Sequence, residues 1–216
     1  QKMKMGREVI ADKGIWTAKK RYILNVYDSE GVKYKEPKLK IMGIESVRSS
    51  TPEWCRDNLQ SLIKTIIGTD EQTVIRCIDD YRKVFKKLSF SNIAFPRSVK
   101  GLDKYMSTKD IYVKATPIHV RGVLLYNYFL KELNLTNKYE LIRNGDKVKF
   151  AYLKEPNRIG ENVIAISHEL PKEFDLEKYI DYDLQFDKSF LQPVKNILNS
   201  IGWKHENVGS LESFFG

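Results

Sequence analysis

The chain has 216 residues, of which 42% are hydrophobic, 30% charged and 12% aromatic. That is enough apolar material to bury a core, too much for a disordered tail and too short a chain for a large multidomain machine. The formal charge of +9 is uneven: residues 1–150 carry 30 basic and 17 acidic side chains, whereas residues 151–216 carry 7 and 11. A basic body with an acidic end points to a polyanionic partner. Nucleic acid leads, because the cations alternate with Tyr and Trp instead of forming an amphipathic membrane helix.

No run approaches the roughly eighteen apolar residues of a membrane span, and the opening QKMKMGREVI lacks the apolar stretch of a signal peptide, so an intracellular setting is expected. Cys55 and Cys77 have neither a CxxC spacing nor a Cys/His partner. Two buried free thiols are expected, not a zinc site or a disulfide.

Residues 16–44 read as strands. Tyr22, Leu24 and Val26 alternate, Ser29-Glu30-Gly31 signals a turn, and a return strand from Val32 is interrupted at Pro37 before a short apolar run ends at Gly43. Ser49-Ser50-Thr51-Pro52-Glu53 starts a helix carrying Trp54, Leu59, Leu62, Ile63 and Ile66, closed by Gly68. Thr69-Asp70-Glu71-Gln72 opens a second helix with the stripe Val74, Ile75, Ile78, Tyr81, Phe85 and Leu88.

Residues 89–117 read as a long irregular loop with Pro96, Gly101 and Pro117, of the kind that carries function. A strong helix is predicted from about His119 to Leu133. Asn144-Gly145-Asp146 is a tight turn before strand signals at Val148-Phe150-Tyr152 and Val163-Ala165-Ile166. A last helical pattern runs from Phe186 through Ile201 to Gly202. The reading is mixed α and β with the two largely segregated.

At Lys19-Lys20-Arg21-Tyr22 three cations precede an aromatic on an expected strand, a conflict between pattern and charge that functional sites produce. The surrounding stretch KGIWTAKKRYILNVYDSEG, continued by EPKLKIMGIESVRSSTP, resembles the end of the palm in family B DNA polymerases of T-even-type phages, where a KKRY motif touches primer-template DNA. SNIAFPRSVKGLDKY, ATPIHVRGVLLYN, GDKVKFAYLKEPNRIGENVIAI and KYIDYDLQFDKSFLQPVKNILNSIGW then resemble the thumb of that family, in the same order.

The resemblance implies an α+β chain: a small antiparallel palm remnant at residues 1–50, a mainly helical thumb containing a β hairpin at 51–206, and a clamp-binding tail at 207–216. It implies the DNA-binding part of a polymerase that extends primers with two magnesium ions. The metal-binding DxxSLYPS and YGDTDS motifs are absent, so this chain alone is expected to be inactive and to bind no cofactor itself. Expected partners are primer-template DNA, the catalytic part of the polymerase and a ring-shaped sliding clamp, in the cytoplasm of the infected bacterial host. A free-standing DNA-binding or clamp-interacting module, or an RNA-binding protein, are the competing readings, and the chain could be an excised piece or the smaller subunit of a split polymerase.

Lys19 and Lys20 suit minor-groove acceptors that every base pair presents near the same place, Arg21 a phosphate, and Tyr22 a position near the primer backbone. Arg97, Lys100 and Lys104 in the long loop, with His119 and Arg121 at a helix start, are candidate backbone contacts. In the tail, Leu211, Phe214 and Phe215 have the L-x-x-F-F spacing of clamp-binding peptides. Tyr179-Ile180-Asp181-Tyr182-Asp183 imitates a two-metal motif but lacks a turn leading into a strand, and it is expected to be structural. His168, His205 and Asn134-Leu135-Thr136 are expected to carry no function.

Overall fold

The computed structural model describes Gly6 and residues 8–207. They fall into two compact units, one from the described residues of 1–48, Arg56–Arg82 and the described residues of 190–216, the other from Ser49–Cys55 and Lys83–Ser189. This division does not follow the 1–50 and 51–206 boundaries, because most of the two long helices after the first sheet belong with that sheet. No described helix is long and apolar enough to cross a membrane.

The first unit is built on a three-stranded antiparallel sheet in the order β1 (Val9–Ala18), β2 (Arg21–Ser29) and β3 (Val32–Met42). The β2–β3 turn is the one the sequence signals: Glu30 and Gly31 both have positive φ (52° and 86°), the type I′ geometry that matches strand twist, and Asp28 accepts from the Gly31 amide at 2.9 Å. Two expectations fail here. The first strand begins at Val9 and not near Trp16; register shifts at Ile10/Ala11 and Ala11/Lys13 break the alternation that would have revealed it. Pro37 does not end β3, because β3 is an edge strand and the ladder to β2 is irregular between Val26 and Asp28, leaving room for a residue without an amide hydrogen.

The buried row is Ile15–Ile23–Ile41, with Ile15 and Ile23 out of solvent, so the alternation through Tyr22 and Leu24 marks the other face. Helix α1 (Glu53–Gly68) buries Leu59, Leu62, Ile63 and Ile66, and the Lys13 ammonium caps its C-terminal end by donating to the Ile67 carbonyl at 2.7 Å. Helix α2 (Glu71–Phe85) buries Val74, Ile75 and Ile78. Asp70 caps it, accepting from the Thr73 amide at 2.9 Å, and that hydrogen bond holds the carboxyl below its usual range. Cys77 on this helix is only half-buried, which corrects the expectation of two buried thiols.

In the second unit, β4 (Phe95–Ser98), β5 (Lys147–Tyr152) and β6 (Val163–Ile166) form another antiparallel sheet in that order. The expected hairpin is thus a three-stranded sheet, and the expected irregular loop supplies its edge strand as well as a short helix α3 (Phe90–Ile93). Pro96 is tolerated at that edge. Helix α4 (Ile118–Glu132) lies directly on β6: a Cβ at Gly122 would meet the Ala165 nitrogen at 2.9 Å, so only glycine permits this approach.

The last helical pattern is not continuous. It comprises α5 (Tyr182–Phe186), a π-helical turn (Asp187–Leu191) and α6 (Gln192–Ser200). Pro193 has no amide to give the carbonyl four residues back, and the wider turn accommodates this. Buried Gln185 ties α5 to its surroundings, donating to the Ile93 carbonyl at 2.6 Å and accepting from the Tyr152 amide at 3.2 Å. Cys55 is buried; burial pushes its thiol up to about 12, and it donates to Ser189 Oγ at 3.3 Å.

Candidate nucleic-acid interface

In the first unit, Lys19 and Lys20 are not on a strand as expected. They form the two-residue turn between Ala18 and Arg21, which pair directly. Both are exposed, and neither side chain has a hydrogen bond or ion pair with any described residue. Lys20 has φ 62°, a left-handed conformation that costs a non-glycine residue about 1 kcal/mol. The turn is braced from behind. Gly43 (φ 68°) runs so close that a Cβ there would lie 2.5 Å from the Lys20 carbonyl oxygen, and Arg48 donates to the Gly43 carbonyl at 2.9 Å.

The other two residues of the motif open β2 and behave differently. Arg21 Nη1 lies 3.8 Å from Glu45 Oε1, a carboxylate that Arg48 also approaches at 3.5 Å, so part of its charge is already met. Tyr22 is half-buried between Trp16 on β1 and Met42 on β3, its direct partners across the sheet.

In the second unit, the five proposed cations divide. Lys100 and Lys104 are exposed, without a side-chain partner among the described residues. The short 3-10 turn Leu102–Lys104 that presents Lys104 is pinned by Asn144, which accepts from the Leu102 amide at 2.9 Å and donates to Asp103 at 3.2 Å. Arg97 is spent on the framework. Its Nη1 donates to the carbonyls of Ser50 and Pro96, both at 2.7 Å, and the guanidinium lies 5.5 Å from the Phe95 ring and 5.6 Å from Phe150. Burial pulls its pKa below the ordinary arginine value.

His119 is half-buried beside Phe150. Burial first, and the Arg97 charge second, push its pKa below 6.5, so at neutral pH it is an uncharged ring and adds nothing to a phosphate field. Arg121 donates to Asn162 Oδ1 at 2.5 Å and sits 5.7 Å from the Tyr112 ring, while Tyr112 donates to Glu161 at 2.5 Å. Asn162 and Tyr112 are not singled out in the sequence and Phe150 only as part of a strand, and nothing local marks them as partners of these arginines.

The acidic imitation of a metal motif has other work. Asp181 caps α5 by accepting from the Leu184 amide at 3.0 Å, and Asp183 pairs with Lys86 at 2.8 Å. Among the described residues no group of three His, Cys, Asp or Glu converges so as to hold a metal ion. His168 is exposed, and His205 lies 3.4 Å from its neighbour Glu206. Leu211, Phe214 and Phe215 lie outside the described residues.

No protein-family profile matches the chain. Among curated proteins it is similar to the DNA-directed DNA polymerase of Enterobacteria phage T4, with 36% identity over 207 residues, covering 94% of this chain and 22% of that one. It is also similar to the DNA-directed DNA polymerase of Escherichia phage RB69, with 34% identity over 227 aligned positions, covering 99% and 24%. The chain therefore spans less than a quarter of the length of these relatives.

Proposed function

Because the chain is related, along nearly its whole length, to part of the DNA-directed DNA polymerases of T-even-type phages, we propose that it is the palm-end and thumb portion of a family B replicative polymerase and that it grips primer-template duplex. The observation that carries this reading is the pair Lys19 and Lys20: exposed, without side-chain partners among the described residues, and held on a turn in an unfavourable backbone conformation. Lys20 is left-handed there, and Gly43 and Arg48 brace the turn from behind, which fixes where the two ammonium groups leave the sheet.

On this reading, the two ammonium groups probe minor-groove acceptors common to all base pairs, and Lys100 and Lys104 meet the phosphate backbone. Arg97, His119 and Arg121 hold the second sheet together without contacting DNA themselves. The carboxylates for two magnesium ions belong to polypeptide beyond this chain, and the tail with Leu211, Phe214 and Phe215 tethers the enzyme to a sliding clamp in the infected host.

The test is fluorescence anisotropy with duplexes of unrelated sequence. Binding is expected to be independent of sequence and to weaken about a thousandfold between 50 and 200 mM salt if about six phosphates are engaged. A flat salt response overturns the reading. With magnesium and dNTPs the chain is expected to extend no primer until the polypeptide carrying the missing aspartates is added; failure to restore synthesis by that addition would favour an autonomous DNA-binding module.

A further inference from the structure

The row Trp16–Tyr22–Met42 runs across the face of the first sheet opposite to the buried isoleucines. Trp16 is 64% exposed and Met42 45% exposed, the former high for so large an apolar side chain. The indole lies down along its own strand. A Cβ at Gly14 would stand 2.5 and 2.6 Å from two carbons of its six-membered ring and 3.0 Å from Leu24 Cδ2, so glycine at this position is what lets the ring lie against the sheet. One side of the indole is backed by strand and the other is open.

Cations bracket this platform. Lys40, exposed, is on the next row, opposite Leu24, which in turn is opposite Gly14; two strand spacings, about 10 Å, separate its backbone from that of Gly14. Lys38 follows two residues along β3, and Lys19 and Lys20 stand at the turn beyond Trp16. Lysine is depleted from the centre of protein–protein interfaces, whereas an open aromatic face among lysines is what single-stranded nucleic acid uses, with bases stacked on the ring and phosphates on the cations.

We propose that Trp16 is a stacking platform for an unpaired nucleotide, with Lys38 and Lys40 meeting the flanking phosphates. This rests on the reading of the basic turn as a DNA contact and adds single-stranded DNA as a second ligand class on the adjoining sheet face.

The experiment uses the whole chain with three fluorescein-labelled probes: dT12, a blunt hairpin duplex, and the same hairpin with a five-nucleotide overhang. Trp16→Ala is expected to weaken dT12 and overhang binding by roughly five- to a hundredfold, the range for one lost stacked base, while blunt-duplex affinity changes less than twofold. Trp16→Phe, which keeps a ring, is expected to retain most of the affinity, and intrinsic fluorescence of the wild type is expected to be quenched by dT12 but not that of Trp16→Phe. Equal dT12 affinity of wild type and Trp16→Ala overturns the proposal, as does wild-type fluorescence indifferent to dT12. Self-association of the wild type that Trp16→Ala abolishes would assign the face to a second copy of the chain. Absence of blunt-duplex binding by the wild type would instead count against the proposed function, and so the two failures are distinguishable.

Discussion

Each of the two sheets carries cations, and uses them oppositely. On the β1–β2 turn, Lys19 and Lys20 have no side-chain partner among the described residues, and the backbone beneath them is strained to present them. In the β4–β6 sheet, Arg97 and Arg121 are hydrogen-bonded to carbonyl and amide oxygens and lie against aromatic rings, and His119 is kept neutral. A positive residue in a basic protein is therefore not evidently a ligand contact. What separates the two classes is whether the protein has already satisfied the charge.

The largest expected effect lies on the framework side. Arg97→Ala removes two charge-assisted hydrogen bonds and leaves the Ser50 and Pro96 carbonyls without that donor, at a cost of about 3 kcal/mol and a fall of roughly 6–12 °C in Tm. Calorimetry and anisotropy on the same protein check it: a duplex affinity lost with Tm unchanged would move Arg97 to the ligand-binding class.

Next is the turn. Lys19→Ala with Lys20→Ala is expected to weaken duplex binding about tenfold at 100 mM salt, alike for duplexes of unrelated sequence, with Tm within about 2 °C of wild type. Lys20→Gly sharpens the point: it relieves the positive φ and is expected to add roughly 0.5–1 kcal/mol of stability while reducing affinity. If both Lys20 variants lose stability and affinity together, the turn is framework too. Gly43→Ala, which alters no charge, is expected to weaken binding by about threefold by displacing the Lys20 carbonyl; unchanged binding would show that the brace does not set the turn.

The smallest effect is in pH. The folded pKa of His119 lies below the ordinary value of about 6.5, so the unfolded chain takes up the proton first. Its contribution is thus constant above that pH, and stability is lost as pH falls below 6.5 toward the folded pKa. Denaturant midpoints from pH 7.5 to 5 are expected to fall less steeply in His119→Gln. Identical slopes would mean that the ring is not held neutral.

Much of this was legible from sequence where the signal is local. The Asp70 cap, the Glu30-Gly31 and Gly145 turns and the stripes of α1, α2 and α4 follow from one short stretch each. The strand β4 was not legible, because four residues with a proline carry no periodicity, and β1 was hidden by its bulges. The run of cations at Lys19 and Lys20 is plain in the sequence, yet their place on a turn is not, since the register that sets it is fixed by pairing with β2. The partners of Arg97 come from Ser50 and Phe150, 47 and 53 positions away, and no pattern in the chain relates them.

The first sheet has two outer strands, β1 and β3. An edge strand offers its backbone to any other strand that meets it, and β3 discourages this along its whole length. Lys33, Lys35, Lys38 and Lys40 are exposed on it, Pro37 withholds an amide, and the irregular ladder to β2 bends it. Like-charged copies repel, and a bent edge without a continuous row of donors cannot template a cross-β stack. At this edge the sheet can thus leave Met42 open to solvent without inviting fibrils, so that concentrated solutions at moderate salt should stay clear and free of thioflavin T signal, whereas Pro37→Val combined with Lys38→Val and Lys40→Val should not.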